Sequence, residues 1–254
     1  MVIDFLYLRV ARGLTLAGAV GQFVADVVRS ARDVTVWLGL TATQMRRIGV
    51  GSIPIAALIA GFTGIVLALQ ASYTLTGVVP MYFVGVLVGK SLMLELSPVL
   101  TGLALAGRVG ANIAAELGTM RVTEQVDALE TLAYDRHSFL VIPRVLAASL
   151  MFPAVVALAT VVGVVAGWIT SINLLDLSSA EFFKGLRLFY KFKDIWYGLV
   201  KSISFGMIIA FIGCWQGLRA TGGAEGVGRA ATRAVVAGAA MILVLDAVWA
   251  VLVL

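Results

Sequence analysis

The strongest constraint on this chain is a set of long apolar runs. Residues 48–69 contain no charged side chain, and residues 145–172 contain none either. A helix needs about 20 apolar residues to cross the hydrocarbon core of a bilayer, so each run is long enough to span it. Three more runs carry few charges: 81–105 with Lys90 and Glu95, 195–215 with Lys201, and 234–254 with Asp246. The sequence therefore predicts five membrane-spanning helices.

The composition excludes a water-soluble globule. Hydrophobic residues make up 61% of the chain, charged residues only 13%, and the mean hydropathy is +1.01. There is too little polar surface to cover a soluble domain of this length. We therefore predict an all-α integral membrane protein, with residues 48–254 forming a five-span domain.

Residues 1–47 differ, because arginines interrupt every apolar run. Leu6, Val10, Leu14 and Ala17 recur at helical spacing, which is typical of an amphipathic helix in the membrane interface. A signal peptide is the alternative, but Asp4 and the broken apolar core argue against it. The interrupting arginines are Arg9, Arg12, Arg29, Arg32, Arg46 and Arg47.

The distribution of Lys and Arg predicts the orientation. With the N-terminus in the cytoplasm, the inner segments carry thirteen of these residues and the outer loops carry four, in 173–194. The positive-inside rule thus favours a cytoplasmic N-terminus and a C-terminus on the outer side.

A polar insert, residues 106–135, separates the second and third runs. Val122, Val126, Leu129 and Leu132 form one apolar stripe at helical spacing. The stripe predicts a short cytoplasmic helix that packs its apolar face on the membrane domain and presents acidic residues to a soluble partner. A simple capped connection between two spans is the alternative.

The loop 173–194 predicts a second short helix, over 178–193. Ser178 and Glu181 have the spacing of a capping box, and aromatic residues alternate with cations after them. We interpret this helix as a membrane anchor on the outer surface, in preference to a specific partner site.

No segment has the residue spacing of a nucleotide-binding, metal-binding or catalytic motif. The segment GVLVGKS at 85–91 has three residues between its glycines where a phosphate-binding loop has four, and 226–231 only approximates a dinucleotide fingerprint. A single His137 and a single Cys214 build neither a zinc site nor a disulfide within one chain. We expect no catalytic or metal-binding residue, no nucleic-acid partner and no enzyme activity of the chain alone.

Ionisable residues inside predicted spans indicate function. On insertion scales each costs about 2.5–3.5 kcal/mol, so it should face a cavity or a partner. Glu95 and Lys201 either pair with each other or snorkel separately to the interface, as we expect Lys90 to do. Asp246 should pack inward against a polar or cationic neighbour.

Four segments resemble one family. The insert AGRVGANIAAELGTMRVTEQVDALETLAYD resembles the signature of the MlaE/YrbE permeases, and LELSPVL, GLVKSISFG and GGAEGVGRAATRAVV are similar to its other recurrent segments. The resemblance covers nearly all of residues 45–254. It implies a homodimeric permease of an ABC transporter in the bacterial inner membrane that exchanges phospholipids or related lipids with MCE-domain proteins.

The resemblance also implies partners and site residues. Two ATPase subunits, which bind ATP and Mg²⁺, would bind a cytoplasmic coupling helix at about residues 119–131, and an MCE ring would dock on the outer side. The implied coupling residues are Glu116, Gly118, Met120, Glu124, Gln125, Asp127 and Asp135. The implied lipid pocket is formed by Leu67, Gln70, Thr74, Leu75, Val78, Glu95 and Lys201.

Three positions depart from the family pattern. Leu94 stands where some members carry arginine, Val78 where some carry tyrosine, and Arg136 where many carry proline. The first two bear on headgroup recognition. The third bears on how the coupling helix ends, because proline stops a helix and arginine does not.

Two other functions fit a multispan chain. A secondary transporter or channel would need its own ion pathway, and a structural scaffold would need no pocket. A neighbouring gene for a Walker-motif ATPase, together with one for an MCE protein, would favour the ABC transporter.

Overall fold

The computed structural model describes residues 2–32, 34–75, 79–188 and 191–253, and every regular element within these ranges is helical. This confirms the all-α integral membrane fold. The α-helices are α1 (Val2–Ser30), α2 (Val34–Ile48), α3 (Ile53–Thr74), α4 (Phe83–Ser91), α5 (Ser97–Leu105), α6 (Ala111–Val122), α7 (Gln125–Thr131), α8 (Ile142–Leu174), α9 (Ser179–Leu188), α10 (Phe192–Leu218) and α11 (Gly223–Val253).

Five continuous helical stretches are long and apolar enough to cross a membrane, as predicted. They are Val36–Thr74, Phe83–Val122, His137–Leu174, Phe192–Leu218 and Gly223–Val253. We refer to them as the first to fifth spans. The second span joins α4, α5 and α6 through π-helical segments at Leu92–Leu96 and Ala106–Gly110, and a third π-helical segment, His137–Val141, precedes α8.

The spans are longer than the apolar runs that predicted them. The second span has 40 residues, which at 1.5 Å per residue gives roughly 60 Å, about twice the thickness of the hydrocarbon core. Residues 106–122 therefore extend the helix beyond the membrane core and do not form a separate insert. Hydropathy indicates where a helix leaves the hydrocarbon core. The helix itself ends only where its backbone hydrogen bonds end, so it can be longer than the apolar run.

The N-terminal region also differs from the prediction. A 3₁₀ turn at Val50–Ser52 links α2 directly to α3, so the helix of the first span begins well before residue 48. Helix α1 covers the predicted amphipathic segment, with Leu14 69% exposed and Phe23 buried against the bundle. The side chains of Leu6 and Val10 lie outside the described residues.

The third span forms the centre of the bundle. Helix α8 packs against both α3 and α10, and small residues let the helices approach closely. A Cβ atom at Gly64 would overlap the carbonyl of Gly163, and one at Gly206 would lie 2.6 Å from the carbonyl oxygen of Ala148. Phe152 packs beside Gly206 and Phe205 packs beside Gly102, and both rings are almost fully buried. The bundle is thus held by backbone proximity, as is usual between membrane helices.

The two connecting helices are shorter than predicted. The helix expected over 119–131 is divided, because α6 ends at Val122 and Glu124 has a left-handed backbone (φ 61°) before α7 begins. The helix expected over 178–193 is α9, which ends at Leu188, and α10 already begins at Phe192. We call the two ends of the bundle the α7 end and the α9 end.

The capping box at the start of α9 is confirmed. The Ser178 hydroxyl donates to Glu181 Oε2 at 2.8 Å, the Ser178 backbone N–H donates to the same oxygen at 3.2 Å, and the Glu181 N–H donates to Ser178 Oγ at 3.2 Å. These bonds from Ser178 hold the pKa of Glu181 below its ordinary value. The reciprocal bonds fix where α9 begins.

Candidate functional site

A cluster of three ionisable side chains lies between the second, fourth and fifth spans. Lys201 of α10 is fully buried, and its Nζ lies 2.5 Å from Glu95 Oε2. On its other side Lys201 forms an ion pair with Asp246 of α11. Of the two alternatives for Glu95 and Lys201, the structure shows the ion pair, and the expectation that Asp246 packs inward against a polar or cationic neighbour is confirmed. Full burial rules out snorkelling of Lys201 to the interface.

The close approach of two helices brings Lys201 to this position. Gly198 precedes Lys201 by three residues, on the same face of α10. A Cβ atom at Gly198 would overlap the carbonyl oxygen of Met93, so only glycine lets α10 come this close to the second span. The Lys201 ammonium then also reaches the carbonyl oxygen of Leu94, at 3.5 Å.

The backbone of the second span is irregular at the cluster. Glu95 lies in the π-helical segment Leu92–Leu96, which is followed by Pro98. Proline has no N–H, so Pro98 cannot donate the α-helical hydrogen bond to the Leu94 carbonyl. Such π-helical segments occur frequently at functional sites, because they reorient the side chains on either side.

Aromatic rings complete the surroundings of Lys201. The Nζ atom lies 5.2 Å from the centre of the Tyr197 ring and 6.0 Å from that of Phe205, both suitable for cation–π attraction. Trp249 of α11 packs edge-on against Tyr197 and donates its indole N–H to Ser204 Oγ at 3.1 Å. These contacts tie α10 to α11 around the ammonium.

The cluster has two carboxylates for one ammonium, and one of the carboxylates is accessible. The side chains of Glu95 and Asp246 are 36% and 24% exposed, against 0% for Lys201. Glu95 can therefore accept a hydrogen bond from a molecule at the surface of the bundle while Lys201 holds it in place.

The other predicted pocket residues fall into three groups. Leu67 and Leu75 pack on an apolar cluster that Leu96, the neighbour of Glu95, also contacts. Gln70 and Thr74 lie on the exposed side of α3, where the Thr74 hydroxyl donates to the Gln70 carbonyl at 2.8 Å. Val78 lies outside the described residues.

Three of the predicted coupling residues form a surface at the tip of the α6–α7 turn. Glu124 and Gln125 are exposed, and the Gln125 side chain donates to Thr123 Oγ1 at 3.0 Å. Asp127 is half exposed and forms an ion pair with Arg121 that closes the turn. We call residues 123–134 the α7 surface.

Three of the other four predicted coupling residues face the bundle. Glu116 lies 3.0 Å from the buried Arg144 and 3.3 Å from Arg47. A Cβ atom at Gly118 would lie 3.2 Å from that of Ala220, and Met120 packs on the main apolar core. These contacts give Glu116, Gly118 and Met120 structural roles near the α7 surface.

Asp135 caps the third span. Its carboxylate accepts the backbone N–H groups of His137 and Ser138, each at 3.1 Å. Burial raises the pKa of Asp135, but the nearby Ser30 hydroxyl and the backbone N–H groups of His137 and Ser138 stabilise the carboxylate more, so the pKa lies below its ordinary value. The side chain therefore stays ionised and fixes the first turn of the helix.

Periodicity alone did not predict that two apolar side chains of the α7 surface are exposed. Val126 is buried and Leu129 is partly buried, as the predicted stripe requires, but Leu132 is 68% exposed and Tyr134 is 50% exposed. The helix ends at Thr131 and Ala133 has a positive φ, so the spacing no longer applies beyond that point. An exposed leucine and tyrosine beside acidic residues are suited to contact another protein.

Comparisons with known proteins agree with this architecture. The family model described as "Permease MlaE" matches residues 41–252. A probable ABC transporter permease protein of Rickettsia bellii is 40% identical over 236 residues, covering 92% of this chain and 91% of the relative. One of Synechocystis sp. is 43% identical over 196 residues, covering 77% and 74%.

A plant relative extends the comparison beyond bacteria. The chloroplastic protein of Arabidopsis thaliana named TRIGALACTOSYLDIACYLGLYCEROL 1 is 33% identical over 235 residues, covering 92% of this chain and 66% of the relative. The match of the family model and of the bacterial permeases extends over nearly the whole five-span domain. The chain therefore belongs to the MlaE family of ABC transporter permeases.

Proposed function

We propose that this permease moves phospholipids or related lipids through the membrane, driven by a separate ATPase. The observation that carries the proposal is the accessible Glu95 carboxylate, held by a fully buried Lys201 inside an otherwise apolar bundle. The plant relative, whose name contains that of a galactosylated diacylglycerol, supports a glycerolipid as cargo.

The apolar surroundings of the cluster suit acyl chains. Leu67 and Leu75 supply an apolar wall beside Leu96, and α3 carries further exposed apolar side chains along one face. We propose that acyl chains lie against this wall, while Gln70 and Glu95 accept or donate hydrogen bonds near the headgroup. A ligand site of this kind combines a mostly apolar lining with a few fixed polar groups.

We propose that two copies of the chain assemble through α3. Large exposed apolar side chains recur along α3 at spacings of three and four residues, so they lie in one line on one face of the helix. That line is formed by Ile55, Leu58, Phe62, Val66, Leu69 and Tyr73.

Cysteine cross-linking tests the dimer, because the single native cysteine, Cys214, is buried. Phe62→Cys should give a disulfide-linked dimer in membranes on mild oxidation. Val161→Cys on α8, where the native side chain is 62% exposed, is the matched control and should stay monomeric. Equal cross-linking of both variants would contradict assembly through α3.

The ATPase partner, which supplies the ATP and Mg²⁺ sites, is proposed to bind the α7 surface. Glu124 and Leu132 are exposed there and are free of the internal contacts that hold Glu116 and Asp135. Glu124→Lys combined with Leu132→Asp should abolish co-purification of the cognate ATPase. Lys184→Glu on α9, a charge reversal at the opposite end, should leave it intact.

We propose a cytoplasmic α7 end and an outer α9 end in the bacterial inner membrane, with MCE proteins docked at the α9 end. The excess of Lys and Arg at the α7 end supports the orientation. Cysteines placed at Leu132 and Leu188 should react with an impermeant thiol reagent from the cytoplasmic and outer side, respectively. The reverse pattern would overturn the orientation.

Reconstitution tests the proposal as a whole. The purified chain should hydrolyse no ATP alone, whereas its complex with the cognate ATPase should show hydrolysis that phospholipid stimulates. Lipid transfer that needs no ATP would instead favour a secondary transporter. No transfer at all under either condition would favour a scaffold.

A further inference from the structure

A cavity with several charged side chains in its lining opens at the α7 end, between the junction of α2 with α3 and the start of α6. Its volume is about 790 Å³, within the range of about 300–1,000 Å³ that is typical of ligand sites. Three arginines, Arg46, Arg47 and Arg108, line it. Glu116 is the single acidic residue in the lining.

The cations of this cavity outnumber its anions. Glu116 is shared by Arg47 and by the buried Arg144, at 3.3 and 3.0 Å. Arg108 donates to the Ser52 hydroxyl at 2.5 Å, and within the described part of the chain no carboxylate pairs with it. Several guanidinium N–H groups thus remain for another acceptor.

Arg108 is placed by two local features. It lies in the π-helical segment Ala106–Gly110, and Gly51 leaves room for its guanidinium, because a Cβ atom there would lie 2.6 Å from an Arg108 nitrogen. Ser52, which receives the Arg108 hydrogen bond, in turn donates to the Ile48 carbonyl at 2.5 Å. The guanidinium is therefore held in a built position at the helix junction.

The depth of Arg108 matches a lipid headgroup. It follows Phe83, the first residue of the second span, by 25 positions, or roughly 38 Å of helix at 1.5 Å per residue. The hydrocarbon core is about 30 Å thick, so Arg108 lies at the level of headgroups on the α7 side. Glu95 is only 12 positions from Phe83 and lies within the core.

We propose that this cavity binds the phosphate group of an anionic phospholipid from the leaflet at the α7 end. Arginine forks match phosphate oxygens in two parallel hydrogen bonds, and basic pockets between membrane helices suit anionic headgroups. Asn112 and Gln44 add amide donors to the lining. Val50 and Ile113 give it an apolar surface, against which the acyl chains would pack where they leave the glycerol. The site is separate from the Glu95 cluster and does not depend on its role in transport.

Microscale thermophoresis of the full chain in a non-ionic detergent tests the site. The ligands are dioctanoyl phosphatidylglycerol, dioctanoylglycerol and sodium phosphate. We expect the chain to bind dioctanoyl phosphatidylglycerol and to bind little of the other two ligands. Loss of one charged donor should weaken the affinity for dioctanoyl phosphatidylglycerol about tenfold. Arg108→Gln and Arg46→Gln should both show this loss, whereas Arg29→Gln, an exposed cation of α1 outside the cavity, should not.

Each other outcome overturns the inference in a distinct way. Equal affinity for dioctanoylglycerol would show that phosphate is not recognised, and equal affinity for sodium phosphate would identify a soluble anion as the ligand. If Glu95→Gln lost binding of dioctanoyl phosphatidylglycerol while both arginine variants kept it, the lipid would bind at the Glu95 cluster instead. Arg46→Gln removes an exposed side chain, so it keeps the test valid even where Arg108→Gln fails to fold.

Discussion

Lys201 Nζ lies 2.5 Å from Glu95 Oε2, and neither helix could make this contact alone. Gly198 lets α10 approach the second span, the π-helical segment turns Glu95 toward it, and Asp246 balances the ammonium from the fifth span. Three spans therefore meet at one buried cation. A buried charge with partners on several helices fixes their relative positions as well as its own.

Loss of the Lys201 cation should destabilise the bundle. Lys201→Met leaves Glu95 and Asp246 without their shared partner, and breaking a buried ion pair costs about 3–5 kcal/mol. The thermal unfolding temperature in detergent should fall well below that of the wild type. Adding Asp246→Asn to Lys201→Met should restore part of the loss, and the exposed Lys184→Met should change little. Unchanged unfolding of Lys201→Met would refute the structural part of the account.

Gly198 should tolerate no larger residue. A Cβ atom there meets the Met93 carbonyl, a rigid backbone group, so Gly198→Ala must separate α10 from the second span. Overpacking of this kind costs about 1–3 kcal/mol. Gly228→Ala is the matched control, because nothing lies within 4 Å of a Cβ atom there. Chemical or thermal unfolding should separate the two variants clearly.

Glu116 should prove structural. Glu116→Gln leaves the buried Arg144 without its carboxylate, and because Glu116 itself is 40% exposed we expect a cost of about 1–3 kcal/mol. The folded fraction of the variant should nonetheless bind the cognate ATPase with wild-type affinity. Loss of ATPase binding by well-folded Glu116→Gln protein would instead assign Glu116 to the coupling contact.

Asp135 should contribute stability that depends on pH. Its pKa is lower in the folded protein than the ordinary value of 3.8, so the contribution is fully present above that value and is lost as pH falls through the folded pKa. At neutral pH, Asp135→Ala should cost about 1 kcal/mol, the usual effect of losing an N-cap. The difference between wild type and variant should shrink below pH 3.8. A constant difference across this range would contradict the capping role.

The sequence predicted the parts of this fold that depend on local chemistry. Long apolar runs with few or no charges predicted five spans, and Ser178 with Glu181 predicted the start of α9 through a capping box. The scarcity of intramembrane charge predicted that Glu95 and Asp246 would have partners. These inferences rest on solvation and on hydrogen bonds between near neighbours in the chain.

Sequence patterns did not predict the features that depend on contacts between helices. The π-helical segments at Glu95 and Arg108 arise where packing shifts the helical register, and hydropathy carries no sign of that. The break at Glu124 divides the predicted helix, and the end of α7 at Thr131, followed by the positive φ of Ala133, leaves Leu132 exposed. The ion pairs of Glu116 with Arg47 and Arg144 join residues far apart in the chain, so the sequence alone did not predict them.

The most direct test of the account is ATP-dependent phospholipid transfer by the permease–ATPase complex in proteoliposomes, comparing wild type with Glu95→Gln. Glutamine keeps the size of the side chain and removes its charge, so the complex should assemble and hydrolyse ATP. We predict transfer by the wild type and at least about tenfold slower transfer by the variant, since one charged contact near the headgroup is lost. Transfer by Glu95→Gln at the wild-type rate would contradict the central claim that lipid passes the Glu95–Lys201 cluster.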